Sequence, residues 1–145
     1  MKLNNEELRK VISEKGLKVT PQRMAVLRAV LESGTHPTAE QIEDALKASF
    51  MVMSKGTLYK VLDALVANGL IKRVKTDRDI LRYDGNLKSH HHLYCSECDL
   101  IEDYEDEELD ELLKAHFAKK KLEGFELEEI VVQVRGAFKK CSVNQ

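Results

Sequence analysis

The chain has only three cysteines, an odd number, and Cys95 and Cys98 stand three positions apart. That pattern suits a disulfide framework poorly and suits metal binding or redox chemistry on reduced thiols better. No apolar run approaches the roughly 18 residues needed to span a bilayer. The first residues, MKLNNEELRK, are polar and helix-forming rather than a basic tip leading into a signal-type apolar stretch. A soluble, cytoplasmic protein without a membrane partner is therefore expected. Net charge is also scarce, at -2, but the sum hides an asymmetry. Residues 1–83 carry 15 Lys and Arg against 10 Asp and Glu, whereas residues 84–145 carry 8 against 15. A basic half joined to an acidic half suggests that the first meets a polyanion. At 145 residues, 43 % of them apolar, the chain can bury a core as one domain or two small ones.

The first half is well punctuated. Thr20-Pro21-Gln22-Arg23 places a capping hydroxyl before a proline at the first helical position, and Met24, Val26, Leu27, Val30 and Leu31 share one helical face until Gly34. Thr38-Ala39-Glu40-Gln41 has capping-box spacing, and Ile42, Ala45 and Leu46 continue an apolar face to about residue 49. A third helix starts on Ser54, packs Leu58, Val61, Leu62 and Leu65, and stops at Gly69. A weaker one covers about residues 5–15. Two strand-like runs follow, 70–75 and 80–83, joined by the charged residues 76–79. Helices followed by a charged hairpin is winged-helix order, so residues 1–83 are expected to form a winged-helix DNA-binding domain. The second helix of a helix-turn-helix enters the major groove. Ser54, Lys55, Thr57, Tyr59 and Lys60 would then face bases and phosphates, with Arg73, Lys75 and Arg78 reaching the backbone from the wing.

These residues also carry a family resemblance. Val19-Thr20-Pro21-Gln22-Arg23, His36-Pro37-Thr38-Ala39, Thr57-Leu58-Tyr59-Lys60-Val61-Leu62 and Gly69-Leu70-Ile71 resemble the DNA-binding domain of the Fur family of metal-dependent repressors. The likeness continues through His90-His91-His92-Leu93-Tyr94-Cys95-Ser96-Glu97-Cys98 and covers nearly the whole chain in order.

In the second half, strand spacing puts His90 and His92 on one face and His91 on the other. Asp84 follows the second wing strand, Asp103 lies in a second strand-like run, and His36 precedes a helix. Three imidazoles and two carboxylates without thiolate suit Fe(II), Mn(II) or a similar borderline metal better than a closed tetrahedral zinc site. The resemblance implies that His36, Asp84, His90, His92 and Asp103 hold the regulatory metal, and Asp rather than Glu at position 103 is similar to the peroxide-responsive branch. It further implies that iron-catalysed oxidation of His36 or His90 to 2-oxo-histidine releases the ion and the repressor. A sensor of iron or manganese without ligand oxidation is the alternative.

The pattern breaks at the cysteines. The family adds a structural zinc on two Cys-x-x-Cys pairs; here Phe138 stands where one thiolate belongs, leaving Cys95, Cys98 and Cys141. Zinc wants four ligands. Either another donor or water completes the site, or the domain holds together without zinc, and absence is the expectation. The final strand-like run, 126–134, offers glutamates and no histidine, His116 is expected on a solvated helix face, and the acidic run 102–111 serves as the negative start of that helix. Residues 84–145 thus form a small α/β dimerization domain, giving an α+β chain overall. A short sheet with edges to cover predicts a homodimer and a palindromic operator in double-stranded DNA. A metallohydrolase built on the same donors lacks an acid-base partner and a pocket for a small organic substrate, so the chain is not expected to be an enzyme.

Overall fold

The computed structural model describes residues 2–142 and divides into two compact units, Met1–Leu87 and Lys88–Gln145. In the first unit, α1 (Asn5–Glu14), α2 (Pro21–Glu32), α3 (Ala39–Ala48) and α4 (Lys55–Ala67) precede a hairpin of β1 (Lys72–Val74) and β2 (Arg82–Asp84). Each helix begins on a side chain that satisfies an orphan backbone donor. Asn4 and Glu7 form a capping box, as do Thr38 and Gln41, while Thr20 caps α2 ahead of Pro21 and Ser54 caps α4. The helix with the weakest sequence signal, α1, still inserts Leu8 and Ile12 with no exposed surface. They join Val26, Leu27, Ile42, Leu58, Leu62 and Leu65 in one apolar core.

The hairpin is narrower than its sequence pattern. Pairing runs only from Lys72↔Asp84 to Val74↔Arg82. Leu70 and Ile71 are buried in the helical core instead of extending β1, and Ile80 and Leu81 are exposed outside β2. Strand β2 has a second attachment: Arg82 bridges Thr38, and the Tyr83 N–H donates to the Pro37 carbonyl at 2.9 Å.

The second unit contains β3 (His91–Cys95), β4 (Ile101–Tyr104), α5 (Glu107–Lys119), β5 (Gln133–Gly136) and a short α6 (Lys139–Ser142). The sheet order is β4-β3-β5, with β3 antiparallel to β4 and parallel to β5. The strand expected at 126–134 is corrected to Gln133–Gly136. Its position is set by β3, whose residues 92–95 pair with 133–136, so the glutamate-rich stretch before it has no partner strand among the described residues. Helix α5 contributes no buried residue. Both units together bear out an α+β fold, helices with a hairpin wing followed by a small α/β unit.

Candidate metal centre and nucleic-acid face

In the first unit, His36 and Asp84 come from segments that β2 draws together. The Arg82 guanidinium donates to the His36 carbonyl at 2.9 Å, next to the β2 contacts to Pro37 and Thr38. His36 Nε2 lies 3.3 Å from Asp84 Oδ2, and both side chains are buried. Asp84 Oδ1 accepts from the Asn86 N–H at 2.8 Å, which orients the carboxylate. Gly85 lets this turn close: a Cβ there would lie 2.7 Å from Leu31 Cδ2.

In the second unit, alternation along β3 works as the spacing predicts. The His90 and His92 rings meet at 4.7 Å, and their Nε2 atoms lie 3.2 and 3.8 Å from the same Asp103 oxygen. Asp103 sits opposite His92 on β4. His90 Nδ1 lies 2.6 Å from the Lys88 carbonyl, so it carries the proton and leaves Nε2 as the nitrogen that could bind a metal. Each unit therefore offers a small oxygen and nitrogen donor set free of sulfur, chemistry that fits a borderline divalent ion.

His91 points to the opposite face, where Asp110 of α5 receives it. Its Nε2 lies 2.9 Å from Asp110 Oδ1, and its Nδ1 accepts from the Val132 N–H at 3.0 Å. The backbone donor fixes the tautomer, with the proton on Nε2. Asp110 was read from the sequence only as part of the acidic start of α5. The missed signal was that a histidine facing away from the metal donors, once buried, needs a partner.

The expectation of reduced thiols is corrected at two positions. Cys98 and Cys141 are joined as a disulfide, with an S–S distance of 2.09 Å. The cause is tertiary: β5 lies against β3, and the turn in which the Cys141 N–H bonds to the Phe138 carbonyl brings α6 back to the β3–β4 corner. Cys95 stays a buried thiol, and the three sulfurs lie within 4.8 Å of one another. No histidine or carboxylate joins that group among the described residues. Two bonded sulfurs and a lone thiol do not fit tetrahedral zinc. The Phe138 N–H donates to Cys95 Sγ at 3.4 Å. Burial pushes this thiol up, but backbone N–H groups of Cys98, Phe138 and Glu97 outweigh it and hold Cys95 below the ordinary thiol value.

On the candidate nucleic-acid face, Lys55, Thr57, Tyr59 and Lys60 are exposed along the start of α4, and Lys75 and Arg78 are exposed on the wing loop. Ser54 is engaged as the α4 cap, accepting from the Thr57 N–H at 3.1 Å. Arg73 is ion-paired with Asp63, which ties β1 to α4.

The Ferric uptake regulator family matches residues 14–135. The peroxide-responsive repressor PerR of Staphylococcus aureus is 31% identical over 132 residues, 90% of this chain and 86% of that protein. Among solved structures, the Helicobacter pylori ferric uptake regulator, described as having three functional metal-binding sites, aligns with a TM-score of 0.74 and 26% identity over 94% of this chain and 90% of that one. A zinc uptake regulator solved with zinc and DNA shares the fold at a TM-score of 0.66 and 21% identity, over 96% of this chain and 93% of that one. The chain belongs to the ferric uptake regulator family: it is a PerR-like, metal-dependent transcriptional regulator and not an enzyme. Homologues in this family bind DNA and dimerize.

Proposed function

We propose that this regulator is a repressor that senses peroxide through iron-catalysed oxidation of a ligand histidine. In this reading His36 and Asp84 from one unit and His90, His92 and Asp103 from the other share a single Fe(II) or Mn(II) ion. The observation that carries it is the pairing of buried imidazoles, through Nε2, with a carboxylate in each unit (Asp84 buried, Asp103 partly exposed), without thiolate, and with Asp rather than Glu at position 103. The likeness to the staphylococcal peroxide-responsive repressor supports the same reading. In this reading metal binding by these five residues would couple to how α4 is presented, in a homodimer, to a palindromic operator. Iron held by His36, Asp84, His90, His92 and Asp103 would supply the reduction of peroxide there, and His36 and His90 would be the imidazoles open to oxidation to 2-oxo-histidine. Loss of that donor then weakens metal retention and DNA binding together.

Mass spectrometry after aerobic exposure with Fe(II) tests this. A gain of one oxygen on peptides holding His36 or His90, absent with Mn(II), is expected. Unmodified peptides alongside metal-dependent operator binding would leave a plain iron or manganese sensor. For the DNA face, Lys75→Ala should reduce the log-log salt slope of binding by about one unit without changing sequence preference. An unchanged slope removes the wing from the contact.

A further inference from the structure

The cysteine cluster departs from what the family would place there, and the departure is structured. Three sulfurs converge within 4.8 Å, yet Phe138 occupies the place of a fourth and contributes only its backbone N–H. The Cys98–Cys141 bond spans 43 residues and ties the corner between β3 and β4 to α6. The Ser96 N–H and hydroxyl both donate to the Gly136 carbonyl, at 2.9 and 3.3 Å, so the same corner is also hydrogen-bonded to the end of β5, the strand that leads into α6. Cys95 lies next to the bridge as a buried thiol with a backbone donor on its sulfur.

We propose that this cluster is a thiol–disulfide site standing in place of a zinc knuckle, a covalent latch that fastens α6 to the β3–β4 corner and is opened by reduction. Closure balances with a hydroperoxide as oxidant. The Cys98 and Cys141 thiols give up two protons and two electrons, the sulfur–sulfur bond forms, the oxygen–oxygen bond breaks, and water and an alcohol (a second water for hydrogen peroxide) leave. A dithiol reverses it by becoming a disulfide itself. Cys95 provides a second way to open the latch without net electron transfer: attack by its sulfur on Cys98 Sγ forms Cys95–Cys98 and expels Cys141 as a thiolate. A latch of this kind gives unit two a tie that chelators cannot remove and reductants can.

The test uses the full chain purified without added thiol or chelator. Thiol titration in guanidinium should give one free thiol before reduction and three after, with no stoichiometric zinc by elemental analysis. Digestion with trypsin and a glutamate-specific protease, which cuts between Glu97 and Cys98, should recover a non-reducing cross-link joining the Cys98 and Cys141 peptides. Reduction should lower Tm by about 5 °C or more, and hydrogen peroxide should restore it. Cys141→Ser should have the lower Tm at the outset and no cross-link between the β3–β4 corner and the α6 peptide, whereas Cys95→Ser should keep both that cross-link and the response to reductant. Three free thiols with one chelator-resistant zinc, or three free thiols with neither zinc nor cross-link, would each overturn the proposal. The iron-dependent oxidation of His36 or His90 is read on different peptides, so either result can fail alone.

Discussion

The two units are held together by different physics. The first is organised around an apolar core to which α1, α2, α3, α4 and the hairpin all contribute, with His36 and Asp84 as its buried polar pair and its other polar groups mostly at caps and edges. In the second, the buried set includes His90, His91, His92 and Asp99, the buried Tyr94 hydroxyl donates to Asp99 at 2.8 Å, and α5 buries nothing. Apolar burial is non-directional and tolerant, whereas buried polar bonds are costly when one partner is lost. A unit built on an apolar core and a unit rich in buried polar groups are thus joined in one chain.

Substitutions can break or sharpen this contrast. The largest effect is expected for Leu62→Ala, which removes a side chain with no exposed surface from α4. It should cost about 2–5 kcal/mol in urea unfolding, equally at every protein concentration. Leu112→Ala, on an α5 position 63% exposed, should instead lower Tm by an amount that grows with protein concentration, as loss from a self-association face does. A concentration-independent effect would take Leu112 out of that face. Next, His91→Ala strands the Val132 N–H and the Asp110 carboxylate. A loss of about 1–3 kcal/mol is expected, and a neutral result would show that the polar tie does not hold the second unit. Thr38→Ala removes the α3 cap beside His36, with an expected cost of about 1 kcal/mol by denaturant unfolding.

The smallest effect concerns acid. The Tyr104 hydroxyl, followed by the Leu109 N–H, holds Asp106 below the ordinary carboxylate value. A depressed folded value means stability that is present above the ordinary carboxylate range and lost as pH falls through the folded value. Circular dichroism should show α5 weakening at the acid end of that window, and Asp106→Asn should flatten the response.

Local chemistry made much of the fold legible. Thr20 with Pro21, Thr38 with Gln41, and Ser54 each act within four residues, so their helix starts could be read directly. Alternation likewise assigned His90 and His92 to one face and His91 to the other. What escaped was decided at long range. Leu70 and Ile71 read as strand but fill the helical core, β5 lies where residues 92–95 of β3 pair with it rather than where the apolar pattern suggested, and Asp110 matters because His91 reaches it across 19 positions. The cysteine pairing belongs to the same class, since 43 residues separate Cys98 from Cys141 and spacing says nothing about their meeting.

Strand β2 has an evolutionary consequence. One three-residue segment forms the returning arm of the wing, supplies Asp84, and through Arg82 and Tyr83 grips the stretch that carries His36 and the α3 cap. Under the proposed function, mutations that retune how the wing would meet a duplex also perturb how His36 and Asp84 are held, so β2 carries two tasks at once and α4 and the loop tip are the places where DNA preference can change without touching the metal donors.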